Sequence, residues 1–468
     1  MRRRTLRIIS AGAITACSMW RRRRIPYMCR LRIPNGIMKH WQFAGLADLA
    51  EKLCGPFCHV TTRANLQVRE IPPKNAVALI EGIQDLGLCS RGTGADNIRN
   101  VTGTPTAGID PQELLDTREY AREWHYHILN DRSLYGLPRK FNVAFDGAGK
   151  IAVLEDTNDI AFSAVEVKDG FGVGARRLVS PRGSAASPAT GILPRYGDII
   201  VKPADATRVS DAIVRVFIDL GDRTSRNKAR LKYVLDGMGH DKFLALVEER
   251  LGQPFTRVPP EALAPRPAFD RMAHIGVHKQ KQEGLNWIGV SLPLGKVTCD
   301  QMRGLAKIAQ DLGDGDIRLT VWQNLLIPGV RDENVELAIA AIKKIGLAVE
   351  ASQIRAGLIA CTGNAGCRFA ASDTKRHAAE IGDWCEPRVN IETPLNIHRH
   401  RLPSFLRAAL HQRYRPDCRE GACRRGCRSR SRAIICSPAA ALVRTPMSGR
   451  RSITTSRRRT RRRLSSGC

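Results

Sequence analysis

The chain has 468 residues, a formal net charge of +30 and 14 cysteines. Its length suggests about three domains, and 43% hydrophobic with 26% charged residues is typical of a soluble globular protein. The lack of an apolar run of about 18 residues argues against a membrane-spanning helix. The arginine-rich N terminus has no signal-peptide core, which argues against secretion. Cysteines this sparse favour metal binding or catalysis over a disulfide scaffold.

The positive charge is concentrated at the two ends of the chain. Residues 1–26 carry eight arginines and no acidic residue, and residues 399–468 carry 20 arginines and two acidic residues. Clustered arginine can form an arm that neutralises nucleic-acid phosphates. Neither end contains a lysine, however, and natural basic arms mix the two. We therefore favour the interpretation that both ends are out-of-frame translation of a GC-rich gene.

From residue 27 onward the sequence predicts a unit that occurs twice. Residues 31–71 align without a gap with residues 290–330, and eleven of the 41 positions are identical. Each copy predicts an extended stretch ending in Pro-x-Gly, a helix with apolar residues three and four apart, and a strand ending near Thr-x-x-x-Asn-Leu. A unit of about 40 residues is too small to be stable alone. We expect the two copies to pack as one sheet-and-helix domain.

A larger α/β stretch follows each copy. After the first copy, the pattern predicts strands at 140–145 and 151–154 and helices at 209–220 and 241–251. The proline-rich segment 253–270 is typical of a linker. After the second copy, a predicted helix at 335–345 precedes a loop that contains cysteines.

Four short motifs carry the chemistry. Cys361 and Cys367 form a C-x5-C pair among small residues, which let backbone amides approach the sulfur atoms of an iron–sulfur cluster. Alone, such a pair is more often two buried free thiols. Three cationic motifs accompany it: TTRANLQ, ADNIRNV and LPRKFN.

Taken together, the motifs resemble the siroheme-dependent nitrite/sulfite reductases. The resemblance covers residues 27 to about 172 and 200–398, in family order, through MCRLRIPNG, HVTTRANLQVREI, GADNIRNVTGTP, LPRKFNVAF, KQEGLNWIGVSLP, RLTVWQNLLI and CTGNAGC. It implies an α+β fold with the duplicated architecture of that family, in which two ferredoxin-like half-domains alternate with two cluster/siroheme α/β domains.

The resemblance also divides the chain. The half-domains are expected at 27–85 and 271–345, the first siroheme/cluster domain at 86–252, and the start of the second, [4Fe-4S]-bearing domain at 346–398. The linker occupies 253–270, and the segments 1–26 and 399–468 are the out-of-frame ends.

The resemblance implies the site residues as well. Cys361 and Cys367 match the first two of four cysteine ligands of a [4Fe-4S] cluster, whose last thiolate bridges to siroheme. Arg63, Arg99, Lys140 and Asn142 match the side where the substrate binds. The residues expected to contact the cofactor are Arg63, Asn65, Asn97, Arg99, Arg139, Lys140, Gln323, Asn324 and Asn364.

Position 142 bears on the choice of substrate. Sulfite-reducing relatives have a second lysine there, and Asn142 removes one cation, which suits the singly charged nitrite better than sulfite. The implied function is an assimilatory, six-electron reduction of nitrite to ammonium by a monomeric cytoplasmic enzyme that receives electrons from ferredoxin or a similar donor. Alternatives are a sulfite reductase of the same family, or a basic nucleic-acid-binding protein that uses its arginine-rich ends.

The resemblance breaks after residue 398, where the family has a C-x3-C pair. Back-translation of residues 402–407 in a shifted frame restores that pair at the correct spacing, and shifts at 14–26 and about 175–195 restore other family-like residues. The pair Cys423 and Cys427 lacks the family's flanking residues and is not taken as a substitute. We therefore expect the polypeptide as written to lack two of the four cluster ligands.

Overall fold

The computed structural model describes residues 27–168, 177–183, 199–365, 367, 370, 372–391 and 397–399. Residues 1–26 and 400–468, with Cys423 and Cys427, lie outside the described residues. So does most of the segment 175–195, where a shifted reading frame is predicted.

The first copy of the repeat forms four strands and two α-helices. Its apolar spacing produces a helix whose buried face includes Phe43, Leu46 and Ala50, as predicted. The elements are β1 (Tyr27–Arg30), β2 (Ile37–Lys39), α1 (His40–Leu53), β3 (Phe57–Thr61), β4 (Asn65–Ile71) and α2 (Ala76–Asp85).

The second copy repeats this order. Its elements are β11 (Gly276–Lys279), β12 (Leu285–Val290), β13 (Lys296–Thr298), α7 (Cys299–Leu312), β14 (Asp316–Leu319), β15 (Leu325–Arg331) and α8 (Val335–Lys344). The predicted helix at 335–345 is confirmed to within one residue. The strand predicted to end near Thr-x-x-x-Asn-Leu is also present in both copies, as β3 and β14.

The two copies exchange a strand, which makes them one domain. The sheets have the orders β1-β4-β3-β13 and β11-β12-β15-β14-β2, so that the short strand before each helix pairs with the other copy. Gly36 and Gly295 allow this close approach, since both have a φ of +72° and a Cβ there would lie 2.7 Å from Leu319 O and 2.6 Å from Val60 O, respectively. A single apolar core runs through both copies.

The stretch between the copies forms a separate core. Its sheet has the order β5-β6-β7-β8, parallel except for the last pair. The helices at 209–220 and 241–251 are confirmed with slightly earlier starts. The elements are β5 (Thr102–Gly103), α3 (Arg118–Asn130), β6 (Val143–Asp146), β7 (Ile160–Glu166), β8 (Arg177–Gly183), β9 (Ile199–Ile200), α4 (Ala206–Leu220), α5 (Leu231–Met238), α6 (His240–Leu251) and β10 (Thr256–Arg257).

Two strand predictions in this region need correction. The strand predicted at 140–145 begins only at Val143, and residues 151–154 form no strand. Ile151 and Val153 are buried, so their alternation marks a packed loop, and the strand lies further on at Ile160–Glu166. Burial alone produced the pattern that suggested a strand.

The last described elements carry the cysteine loop. They are α9 (Gln353–Ala356), β16 (Leu358–Ala360), α10 (Thr374–Cys385) and β17 (Ile397–Arg399), and β16 pairs in parallel with β17. Cys361 therefore follows directly on the buried strand β16. No helix in the described part of the chain is long and apolar enough to cross a membrane.

Candidate functional site

Arg63 lies in the turn between β3 and β4 and is held by residues of the stretch between the two copies. Its guanidinium donates to the carbonyl oxygen of Thr157 at 2.8 Å and to Asn158 Oδ1 at 2.6 Å. Its neighbour Ala64 has a φ of +44°, so the turn is sharp. Burial lowers the pKa of Arg63 to about 10, but the group remains a cation at neutral pH.

Arg99 lies on the loop before β5 and is fixed by that loop's own backbone. It donates to the carbonyl oxygens of Thr93 and, at 2.7 Å, of Ala95. Burial, together with the nearby guanidinium of Arg30, lowers the pKa of Arg99 to about 9. The guanidiniums of Arg30 and Arg99 thus repel each other, and Asp96 offsets part of that repulsion.

The loop that carries Arg99 is anchored by a buried arginine, Arg32. Its guanidinium donates to the carbonyl oxygens of Arg91 at 2.7 Å, Gly92 at 3.2 Å, Ile98 at 2.9 Å and Arg99 at 3.3 Å. Only 2% of Arg32 is exposed. Arg32 therefore shapes the loop and does not offer itself to a ligand.

Lys140 lies among these guanidiniums. Burial, and then the charges of Arg230, Arg99 and Arg63, lower the pKa of Lys140 to about 7. A lysine ammonium costs more free energy among other cations, which is why the proton leaves so readily. At neutral pH Lys140 can therefore either hold or release a proton.

Asp159 is the carboxylate that faces this cationic group. It accepts from the backbone and side-chain nitrogens of Asn142 at 2.9 and 3.1 Å, and from Arg230 Nη2 at 2.9 Å. The structure thus ties the carboxamide of Asn142 to Asp159. The prediction that position 142 selects the substrate is not tested by this contact.

The two cysteines lie in a second cationic region. Arg69 donates to Thr362 Oγ1, beside Cys361, and its pKa is lowered to about 10 by burial and by Arg30, against the opposing effect of Cys367 and Cys361. Lys375 donates to the carbonyl of Leu294, and burial lowers its pKa to about 8. Cations beside thiols stabilise thiolates, the form that binds metal.

The two thiols alone do not complete a metal site. In the described ranges, the cluster of three potential metal ligands is His127, Asp131 and Asp211, and it includes neither cysteine. Arg215 neutralises both of those carboxylates, at 2.5 and 2.6 Å. A metal centre bound by Cys361 and Cys367 would therefore need further ligands beyond these two thiols.

Several predicted cofactor residues make contacts to the protein itself. Asn65 donates to Leu31 O at 2.5 Å, and Asn324 accepts from Leu292 N at 2.9 Å, so both amides brace the repeats. Asn97 donates to Gly94 O at 2.9 Å and accepts from Gly136 N at 2.8 Å. Arg139 is ion-paired to Asp96 at 3.1 Å.

The remaining two predicted residues lie near the cysteine loop. Gln323 donates to Val60 O at 3.2 Å, and its Oε1 is buried with no hydrogen-bond partner among the described residues. Asn364 is exposed on the loop between the two cysteines, and its backbone nitrogen donates to Ser372 O at 2.9 Å.

The sequence argument missed five residues of this site: Arg30, Arg32, Arg69, Asp159 and Arg230. A usable signal existed for Arg69, because β4 is buried on both faces and a charge in such a strand needs a partner. Arg230 and Asp159 lie about 70 residues apart in the sequence and meet only through the fold.

The donor set fits a large anion with carboxylate groups. Arg63, Arg99 and Arg230 all act on Lys140, while Asp159, Asp156 and Asp96 lie on the opposing side of the charge balance. The Nε atoms of Arg69, Arg139 and Arg230 are buried without partners among the described residues. Guanidiniums bind carboxylates in paired hydrogen bonds. Siroheme, which carries eight carboxylates, satisfies this requirement, and the cysteine loop fits one half of a four-cysteine cluster site.

Comparison with known proteins gives matches over the same regions. Residues 94–255 match the profile of the nitrite and sulphite reductase 4Fe-4S domain, and residues 22–86 and 278–345 match that of the nitrite/sulfite reductase ferredoxin-like half domain. The segment 94–255 contains no cysteine. Any cluster thiols must therefore come from another part of the chain.

Individual relatives agree with these profiles. The chain is 34% identical over 383 residues to chloroplastic ferredoxin–nitrite reductase of Zea mays, covering 80% of this chain and 66% of the relative. It is 32% identical over 380 residues to ferredoxin–nitrite reductase of Synechococcus elongatus, covering 80% and 72%. The solved NirA protein of Mycobacterium tuberculosis superposes with a TM-score of 0.73 at 26% identity, covering 80% of this chain and 67% of that one.

Proposed function

The chain belongs to the nitrite and sulfite reductase family, and from that premise we propose that its site serves the six-electron reduction of nitrite to ammonium at a siroheme. The observation that carries the proposal is the convergence of Arg63, Arg99 and Arg230 on Lys140, beside the Arg230–Asp159 pair. The relatives from Zea mays and Synechococcus elongatus are named ferredoxin–nitrite reductases, which supports nitrite as substrate and ferredoxin as donor.

Arg63, Arg99 and Arg230 would hold the carboxylates of the cofactor and the substrate anion. When bound, siroheme would supply the iron at which nitrite receives electrons. Arg63 is anchored at Thr157 and Asn158, so its position does not depend on the ligand. A fixed donor of this kind costs no reorganisation when negative charge develops on an oxygen.

Lys140 would supply protons, since reduction of nitrite to ammonium consumes them. Its pKa of about 7 lets the Nζ atom carry a proton in about half of the molecules at neutral pH. Donation leaves a neutral amine, and this outcome is favoured by the guanidiniums around it. The Lys140 side chain takes up a proton from solvent before it donates again.

Cys361 and Cys367 would supply two thiolates to a [4Fe-4S] cluster, beside Arg69 and Lys375. We also propose that the polypeptide as written cannot complete that cluster, because the family's second cysteine pair is replaced after residue 398. No electron-transfer step is derived from these two thiols alone.

The test uses the full chain produced in a host that makes siroheme, beside a frame-corrected version with the C-x3-C pair restored. We expect the corrected protein to bind siroheme and about four iron atoms and to reduce nitrite faster than sulfite with a chemical electron donor. The chain as written should bind fewer iron atoms. Full iron occupancy in the chain as written, or a preference for sulfite, would contradict the respective part of the proposal.

Asn142→Lys in the corrected protein sharpens the choice of substrate. If Asn142 selects nitrite, the variant should gain sulfite turnover relative to nitrite turnover. An unchanged ratio would mean that a cation at position 142, beside Asp159, does not decide between the two substrates. The role assigned to position 142 would then be wrong.

A further inference from the structure

Arg266, in the linker between the two halves, inserts between two buried carboxyl groups. Its Nη2 lies 2.5 Å from Asp146 Oδ1 and its Nη1 lies 2.7 Å from Glu155 Oε1. The side chains of Arg266, Asp146 and Glu155 are only 17%, 0% and 13% exposed. A linker side chain buried this deeply fixes the position of whatever carries its partners.

Glu155 belongs to the turn that holds Arg63. The residues of this turn, 154–158, are connected internally, since Thr157 Oγ1 and Asn158 Nδ2 both donate to Leu154 O, at 2.8 and 3.0 Å. Leu154 has a φ of +59°, a conformation that a leucine adopts only when its surroundings impose it. The turn therefore depends on external contacts for its shape.

The same turn offers both of the strong acceptors for Arg63, which are Thr157 O and Asn158 Oδ1. A chain of direct contacts thus runs from Arg266 through Glu155 and the turn to the guanidinium of Arg63. Arg63 and Arg266 come from different segments and share no hydrogen-bond partner among the described residues.

The charges of Arg266, Asp146 and Glu155 also favour keeping the guanidinium between the two carboxyl groups. Two carboxyl groups face one guanidinium, and Asp146 Oδ2 is buried with no hydrogen-bond partner among the described residues. Burial, and then the charge of Asp146, raise the pKa of Glu155 to about 7. Arg266 opposes that shift, so its removal would favour protonation of the carboxyl group that anchors the turn.

We propose that Arg266 is a positioning residue for Arg63, which it fixes through Glu155 and the turn at 154–158. The inference rests on the proposed function, because it takes Arg63 to be an anion-binding group. It assigns to the linker a part in building the site, beyond joining the two halves of the chain.

The test is a double-mutant cycle in the full chain, with Arg63→Gln, Arg266→Gln and the double variant. The readout is the affinity for uroporphyrin, an octacarboxylate porphyrin, measured by fluorescence titration, so that no assembled cluster or turnover is needed. Arg250→Gln is the matched control, since Arg250 is an exposed arginine paired to Asp219 at 2.6 Å. Thermal unfolding of every variant checks its folding.

We expect Arg63→Gln to weaken uroporphyrin binding at least about tenfold, by loss of a charge-assisted contact. Arg266→Gln should weaken it about fivefold, and the double variant should bind no worse than Arg63→Gln alone. Arg266→Lys, which keeps a cation between the two carboxyl groups, should restore most of the affinity. Arg250→Gln should bind as the parent does.

Additive losses in the cycle, or an unaltered affinity in Arg266→Gln, would overturn the positioning role while leaving the anion site intact. If the parent chain does not bind uroporphyrin, the proposed function itself fails. Should Arg266→Gln not fold, the cycle is run with Glu155→Gln, which keeps an acceptor for Arg266 and removes a buried charge. Additivity there would equally overturn the inference.

Discussion

The two copies of the repeat form the same turn, but the turn carries a cationic side chain in the first copy and an aromatic one in the second. In the first copy the turn carries Arg63, and in the second the equivalent residue is Trp322. The residues that follow, Ala64 and Gln323, both have positive φ, +44° and +62°. Arg63 donates to the turn at 154–158, whereas Trp322 stacks on His274 with ring centroids 5.2 Å apart.

The difference shows that the repeat determines the backbone of the turn, whereas the neighbouring residues determine which side chain the turn can hold. A buried guanidinium needs acceptors, and the turn at 154–158 provides them for the first copy alone. In the second copy the same position faces the ring of His274, and the indole of Trp322 packs against it. Duplication therefore produced two equivalent positions, of which one became a cationic site and the other part of the core.

A second pair of positions differs in the same way. Arg32 and Ser291 are equivalent, and their backbone nitrogens make matching bonds to Cys89 O and Ala348 O. Only Arg32 goes on to bind four carbonyl oxygens of the loop that bears Arg99. Among the described residues, no such side-chain bonds are seen for Ser291, so this way of anchoring the loop belongs to the first copy.

The largest expected effect comes from giving the first copy the residue of the second, Arg32→Ser. The change leaves four carbonyl oxygens in a buried region without a donor, so we expect a loss of about 4 kcal/mol in the free energy of unfolding. Urea-induced unfolding at pH 7 measures it. Ser291→Ala is the control and should change stability by less than about 0.5 kcal/mol. A loss no larger than that of the control would show that water replaces the guanidinium.

The converse exchange, Trp322→Arg, tests whether the cation alone makes a site. Trp322 is 6% exposed, so its replacement loses packing and buries a charge beside His274, which should cost about 3 kcal/mol. We expect no added uroporphyrin affinity, because the acceptors that hold Arg63 are missing. A second equivalent of bound porphyrin would contradict the view that the surroundings decide the chemistry.

Much of this comparison was visible in the sequence. The repeat, its helices and the strand before each turn followed from apolar spacing and identical positions, and Arg63, Arg99 and Lys140 do come together. The interpretation of residues 151–154 failed because a buried loop can mimic a strand. The pattern also gave no hint that each copy places a strand in the other's sheet.

The partners of the cations could not be predicted. Asp159 holds Arg230 across about 70 residues, and Arg266 reaches Asp146 across 120. Such contacts depend on tertiary structure, and no local period encodes them. The sequence likewise could not show that Asn65 and Asn324, identical in the two copies, both bond to backbone and so serve the shared fold.

The pKa of Lys140 measures how strongly the neighbouring cations, Arg63 of the first copy among them, oppose a further positive charge. Its pKa is about 10.5 in an unfolded chain and about 7 in the fold, so the folded state is penalised below pH 7. The penalty disappears as pH rises from about 7 towards 10.5, since the unfolded chain binds more protons in that window. Wild-type protein should therefore gain stability relative to Lys140→Met across this range.

Chemical unfolding of both proteins at pH 6.5, 8 and 9.5 measures the effect, which we expect to reach about 3 kcal/mol between the lowest and the highest pH. Removing a neighbouring charge with Arg63→Gln should raise the pKa of Lys140 and shift the window to higher pH. Substitution at Trp322 to phenylalanine should leave the window unchanged. A constant difference between wild type and Lys140→Met would contradict a depressed pKa.

The smallest effect concerns the first turns of the equivalent helices α1 and α7. Both have glutamine at the third position, and Gln42 and Gln301 each accept from the backbone nitrogen of the residue before the helix, at 3.0 Å. Only the second copy adds a hydroxyl cap, since Thr298 Oγ1 accepts from Gln301 N at 3.2 Å. The first copy has Lys39 there, paired with Asp316 at 2.5 Å.

Thr298→Ala should therefore cost about 1 kcal/mol by loss of the cap, and Lys39→Ala less than that, because an ion pair with a half-exposed lysine contributes little. Urea-induced unfolding in low and high salt separates the two causes. Salt should reduce the effect of Lys39→Ala and leave that of Thr298→Ala unchanged. Equal, salt-sensitive losses would mean that charge stabilises both helix starts, and the copies would then differ less here than their side chains indicate.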